Sequence, residues 1–218
     1  TYTAHFAERG DLSYKVEYYF DGKLGETVSQ NNVKLGTPIA YTTTAKTYEG
    51  GNYVFERTEG PKTVGGVNNE NVLKVYYTLD ATGTDQPGTP DGIPDQFQIT
   101  IRYESNANGS VGGTTVEVHT IQDFVRDAET GEIIKTGAVK PASPNADVTV
   151  TANSRYTFSH WSIRGNADKS YASTADLMKD TFVEDVTFAA NFRYTGGGSN
   201  GGGGGGGTGD GSHSAKPE

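Results

Sequence analysis

The chain has 218 residues, 33% of them apolar, and a formal net charge of -9, so it holds material for modest hydrophobic cores and lacks the clustered Lys and Arg that nucleic acid or anionic lipid attracts. It has no cysteine, which excludes disulfide frameworks and thiolate metal sites, and no apolar run approaches the length of a membrane span. Thirty Gly and 13 Tyr against a single Met and a single Trp describe a turn-rich, mainly β protein with little helix.

In chain order, the opening "TYTAHF" echoes "TFAANF" at Thr187 to Phe192, so residues 1–8 are expected to be the last strand of an upstream copy in an array. The first full strand is "YKVEYYF", with Tyr14, Val16, Tyr18 and Phe20 on one face; Asp21-Gly22 then signals a tight turn. "YVFER" is a further strand candidate. "VLKVYYTL" puts Leu73, Val75, Tyr77 and Leu79 inward and Val72, Lys74, Tyr76 and Thr78 outward. These segments define a first module over residues 12–80. A run rich in Pro, Gly and Asp, residues 81–95, separates it from a second module over residues 96–194. That module opens on "FQITIRYE", whose alternation places Phe97, Ile99, Ile101 and Tyr103 inward and Gln98, Thr100, Arg102 and Glu104 outward. Later strand candidates are "TTVEVHTI", "DVTVTA", "YTFSHWSI" and "VTFAANF". One helix is expected, in "STADLMKD", capped by Ser173 or Thr174. Residues 195–218 have almost nothing to bury and are expected to be a disordered Gly-rich tether.

In the first module, "YKVEYYFDGKLGE", "LGTPIAYTTTAKTYEGGNYVFER" and "NENVLKVYYTL" resemble, in order and spacing, the mucin-binding protein repeat of Gram-positive surface proteins, most distinctively in the Thr-Thr-Thr-Ala-Lys block at Thr42 to Lys46. The ending of the second, "YTFSHWSIRGN" followed by "FVEDVTFAANF", is similar to the internalin B-repeat and Listeria–Bacteroides repeat group; the insert "VEVHTIQDFVRDAETGEIIKTG" has no counterpart in that short repeat. The resemblance implies two small β-grasp-like modules in tandem. It implies an extracellular place on a bacterial surface, with attachment to the cell wall through a region outside this stretch. The expected function is non-catalytic, as adhesin stalk and host-attachment module, with neighbouring repeats of the same chain and host mucin or other glycans as partners. The alternative is a mucin-glycan binding domain.

Few side chains are candidates for chemistry. Asp80, Asp85, Asp91 and Asp95 in and around the linker are the candidate metal ligands, but their spacing supplies only the closing half of a calcium loop of the "DxDxDGxxD" type. A hinge is the preferred reading, and no cofactor is expected. His5, His119, His160 and His213 share no metal-ligand spacing. Neither a Gly-x-Ser-x-Gly elbow nor a thiol offers a nucleophile, so no enzymatic activity is expected. Trp161 reads as a core residue. Tyr19 and Tyr76 fall on the outer faces of two strands and are the candidate sugar-stacking pair, against the simpler reading of a cross-strand contact.

Overall fold

A computed structural model describes residues 2–3, 9–82 and 89–196 of the chain. The echo strand at residues 1–8 lies mostly outside the described residues, as do linker residues 83–88 and nearly all of the glycine-rich tail.

The first part of the chain forms β1 (Leu12–Phe20), β2 (Lys23–Val33), β3 (Lys46–Tyr48), β4 (Gly51–Glu59) and β5 (Val72–Leu79), joined in one sheet of order β2-β1-β5-β4-β3. Alternation in β1 and β5 decides which face is buried. Leu12, Tyr14, Val16, Tyr18, Phe20, Leu73, Val75 and Tyr77 all point into one cluster, closed by Phe55 of β4 and by Ile39 and Val64 from the loops. Those loops meet through a bridge between Pro38 and Thr63. Between β1 and β2, Asp21 (φ 44°) and Gly22 (φ 80°) form the turn, both with the positive φ that a two-residue hairpin demands. The Thr-rich block is fastened by tyrosines: the Tyr77 hydroxyl donates to the carbonyls of Thr42 (2.8 Å) and Thr44 (3.0 Å), and the Tyr18 hydroxyl accepts from the Thr42 amide. Lys46 closes the block over the Tyr18 ring and pairs with Glu26.

The second part forms β6 (Gln98–Ser105), β7 (Gly109–Gly113), β8 (Val116–Thr120), β9 (Asp123–Arg126), β10 (Ile133–Thr136), β11 (Val148–Ala152), β12 (Tyr156–Ile163), β13 (Asn166–Tyr171), the short helix α1 (Thr174–Leu177) and β14 (Val186–Tyr194). Five of these strands make a sheet of order β13-β12-β14-β6-β8, while β7 with β11 and β9 with β10 form two-stranded ribbons. Its core is a separate cluster built on Ile101, Trp161, Leu177, Phe188 and Ala190. Trp161 is fully buried, and its indole N–H finds the Thr174 hydroxyl at 3.1 Å. Ser173 caps α1 by accepting from the Asp176 amide, as expected from the sequence.

In one respect the outer face of β6 departs from its alternation. Gln98 and Thr100, read as outward, are 7% and 8% exposed. Asp91 accepts from the Gln98 side-chain amide, and the loop before β14 brings the Asp185 carboxylate onto the Thr100 backbone amide; the start of this face of β6 is buried while Arg102 and Glu104 farther along it stay exposed.

The two sheets share one layout. In each, the first strand lies beside the last in parallel, β1 against β5 and β6 against β14, and each of these strands has an antiparallel neighbour on its other side. Parallel pairing means that the chain enters at one end of the sheet and leaves at the other, a strand length or ~27 Å away.

Candidate functional site

Three of the four candidate metal ligands lie among the described residues; Asp85 lies outside them. Asp80 is 1% exposed, and its two oxygens accept from the amides of Asp91 (3.0 Å) and Gly92 (2.9 Å). Asp95 accepts from the amides of Ala81 and Thr82. Asp91 takes the Ile93 amide on one oxygen and the Gln98 side-chain amide on the other. These carboxylates therefore act as backbone clasps that tie the end of β5 to the start of β6. Burial, then the charges of Asp91 and Asp95, raise the pKa of Asp80, while the two amides pull the other way. Among the described residues no group of three or more His, Asp or Glu is placed to hold a metal ion. The oxygen of the Gln98 side chain is buried without a partner among the described residues.

The tyrosine pair is brought together. Parallel register sets Tyr19 directly opposite Tyr76, and their rings stack with centroids 5.2 Å apart at 23°. The sequence did not reveal the third member of the row. A bulge in β4 between Phe55 and Arg57 makes Glu56 the extra residue, so that Arg57 pairs with Tyr76 and lays its guanidinium 3.9 Å from the ring centroid. Glu59 accepts from the Tyr76 hydroxyl and Glu17 from the Tyr19 hydroxyl. The Tyr76 ring is thus held between Tyr19 and Arg57, with both faces occupied. The outward face of Tyr19 looks toward Leu24 on β2, which is 48% exposed.

His119 and His160 do not meet. His119 pairs with the buried Glu117 at 2.8 Å, and Glu117 also accepts from the Tyr103 hydroxyl and the Asn145 amide. Burial and that carboxylate push the Tyr103 phenol well above its ordinary range, as suits a structural network. His160 contacts Ser159 on the sheet surface. Beside it runs a polar strip in which Asn191 donates to Ser162 and accepts from Asn106, and Arg164 bridges Asn106 and Glu104. It flanks an open depression of about 440 Å³ that also includes His160 and Asn166. Its donors and acceptors are largely spent on one another. The described helices are also too short and too polar to cross a membrane. No family model, curated protein or solved structure matches the chain.

Proposed function

We propose that this chain is a pair of non-catalytic, load-bearing modules from the stalk of a bacterial cell-surface protein, extending an adhesive region away from the cell wall. The observation that carries this reading is the shared layout of the two sheets, with first and last strands adjacent and parallel. A chain entering one end of a sheet and leaving the other is strung end to end. Tension applied along it loads the central ladder in shear, so that its hydrogen bonds resist together instead of opening one by one. The order β2-β1-β5-β4-β3 is compatible with the β-grasp-like folding implied by the likeness to mucin-binding protein repeats, although no helix crosses the first sheet among the described residues. The closing "YTFSHWSI" and "VTFAANF" segments lie side by side as β12 and β14, as two strands of one repeat would.

The test is a ruler. One, two or three copies of the fragment are placed between a cell-wall anchor and a reporter epitope, and the height of the epitope above the wall is measured. A stalk module adds a constant increment per copy. An unchanged height would contradict the proposal.

A second reading, weak binding of mucin-type glycans through Tyr19 and Tyr76, is supported by the stacking of the two rings in register. Arg57 covers the ring face that a sugar would use, so Arg57→Ala should strengthen glycan binding and Tyr19→Ala with Tyr76→Ala should abolish it. Array signals that neither change alters would dismiss the pair as a glycan site.

A further inference from the structure

The insert without a counterpart in the repeat it resembles contains the β9–β10 hairpin, which reaches back to the first sheet. Its turn is built to be stiff. The Asp127 carboxylate accepts from the amides of Glu129 and Thr130 and from the Thr130 hydroxyl, the Asp127 carbonyl accepts from the Gly131 amide, and Gly131 takes a positive φ of 72°. Gln122 fixes the base by donating to the Thr136 carbonyl.

From this arm two charged side chains touch β4. The guanidinium of Arg126 donates to the Phe55 carbonyl at 2.9 Å, at the point where the bulge interrupts β4. The carboxylate of Glu132 accepts from both the amide (2.9 Å) and the hydroxyl (2.5 Å) of Thr58, and Lys62 contacts that same hydroxyl. These bonds join residues more than 70 positions apart. The dock is polar, and a cleft of about 240 Å³ lined in part by Thr43, Val54 and Phe55 remains beside it. Val125 and Ile134 on the hairpin stay about half exposed. Apolar burial therefore contributes little here, and the hydrogen bonds to the bulge decide whether the arm stays seated.

We infer that the β9–β10 hairpin is a latch between the two sheets, in which Arg126 and Glu132 grip the bulged strand β4 and, as a second attachment besides the carboxylate clasps near Asp80 and Asp95, fix the angle between them. Beyond Tyr53 the other edge of β4 is open to an outside partner, because β3 pairs only with Gly51 to Tyr53, while Phe55 and Thr58 stay in register with Tyr77 and Val75 of β5. The latch does not depend on the stalk reading. If both hold, the stalk is a jointed rod with set angles and not a flexible string.

The chain has no cysteine, so spin labels can be placed on Thr27→Cys in β2 and Ser154→Cys in the turn before β12, both exposed. Pulsed electron resonance should give one narrow distance distribution. Arg126→Ala with Glu132→Ala should replace it with a broad distribution, while circular dichroism and Trp161 fluorescence stay unchanged. Thr58→Val, which exchanges the hydroxyl for a methyl group and keeps the amide bond to Glu132, should give an intermediate width. A broad distribution in the parent, or an unchanged narrow one in the double variant, would overturn the latch. If the double variant loses its folded signals, Thr58→Val decides: unchanged width rejects the latch and a widened one supports it.

Discussion

Replacing Tyr77 by Phe removes one oxygen from the centre of the first core. The ring is 1% exposed and packs near Tyr18, Phe20 and Phe55, so Phe keeps the packing and the perturbation is confined to the hydroxyl. That hydroxyl holds the Thr42 and Thr44 carbonyls, and burial pushes its pKa well above the ordinary value. The hydroxyl has a single proton, shared between the two carbonyls, so the loss is about 0.5–1.5 kcal/mol. In a unit of this size, each kcal/mol moves the midpoint by about 4–8 °C, so a loss of about 1 kcal/mol corresponds to a fall of about 4–8 °C. The assay can be made specific to each sheet. Trp161 is the only tryptophan and lies in the second core, while tyrosine near-ultraviolet dichroism is dominated by the Tyr-rich first sheet. Tyr77→Phe should lower the tyrosine-monitored transition and leave the Trp161 transition nearly in place. A tyrosine transition that does not move would refute the fastening of the Thr-rich block. Equal shifts in both probes would show that the two sheets unfold as one unit.

Three further expectations concern the second sheet and the linker. Asp180 accepts from the Tyr171 hydroxyl and pairs with Lys169, and its pKa falls to about 2, with Lys169 the largest cause and Tyr171 next. Its folded pKa is depressed, so its stabilisation is complete above the unfolded value near 4 and is lost as pH falls through about 2. Asp180→Asn should therefore lower the Trp161-monitored midpoint at pH 7 and cease to matter near pH 2; an equal difference at both pH values would exclude the carboxylate as the cause. Thr174→Val leaves the Trp161 indole N–H without its partner and should cost about 1–3 kcal/mol by urea titration, and a neutral result would show that the bond contributes nothing. Millimolar calcium should change the melting temperature little, because the oxygens of Asp80 face amide donors; an ion at 100 times its Kd would add ~2.7 kcal/mol, and a chelator-reversible rise of that size would count against the clasp.

Alternation made β1 and most of β5 legible, although Thr78, read as outward, is buried; β4, β8, β11, β12 and β14 were legible as short runs of strand-forming residues between turn signals, and β14 buries Phe188, Ala189 and Ala190 in succession. β2 was not legible, because all its residues from Lys23 to Asn32 are exposed, and at the edge of the sheet it is held by its ladder to β1 and by the ion pairs Lys23–Glu49 and Glu26–Lys46. Polar edge strands leave no hydrophobic period. β6 was read correctly on its inner face and, on the other, at Arg102 and Glu104 but not at Gln98 and Thr100, where Asp91 and Asp185 approach from segments that alternation cannot place. The outward direction of Tyr19 and Tyr76 was readable, but the ring neighbour Arg57 was not, because one extra residue in β4 changes the phase of everything after Phe55. The linker carboxylates were noticed for their charge, whereas their bonds to amide groups are a property of the backbone path.

The most direct measurement is single-molecule stretching of the chain by its two ends. The first unit spans 68 residues from Leu12 through Leu79 and the second 97 from Gln98 through Tyr194, so at ~3.6 Å per extended residue, less the folded strand length, they should release ~220 and ~320 Å. Two parallel clamps loaded in shear predict two separate, abrupt steps of those lengths, with unfolding forces well above those seen when the same sheets are pulled through β2 or β13 at their edges. A gradual extension at low force, or equal forces in both pulling geometries, would contradict a load-bearing stalk.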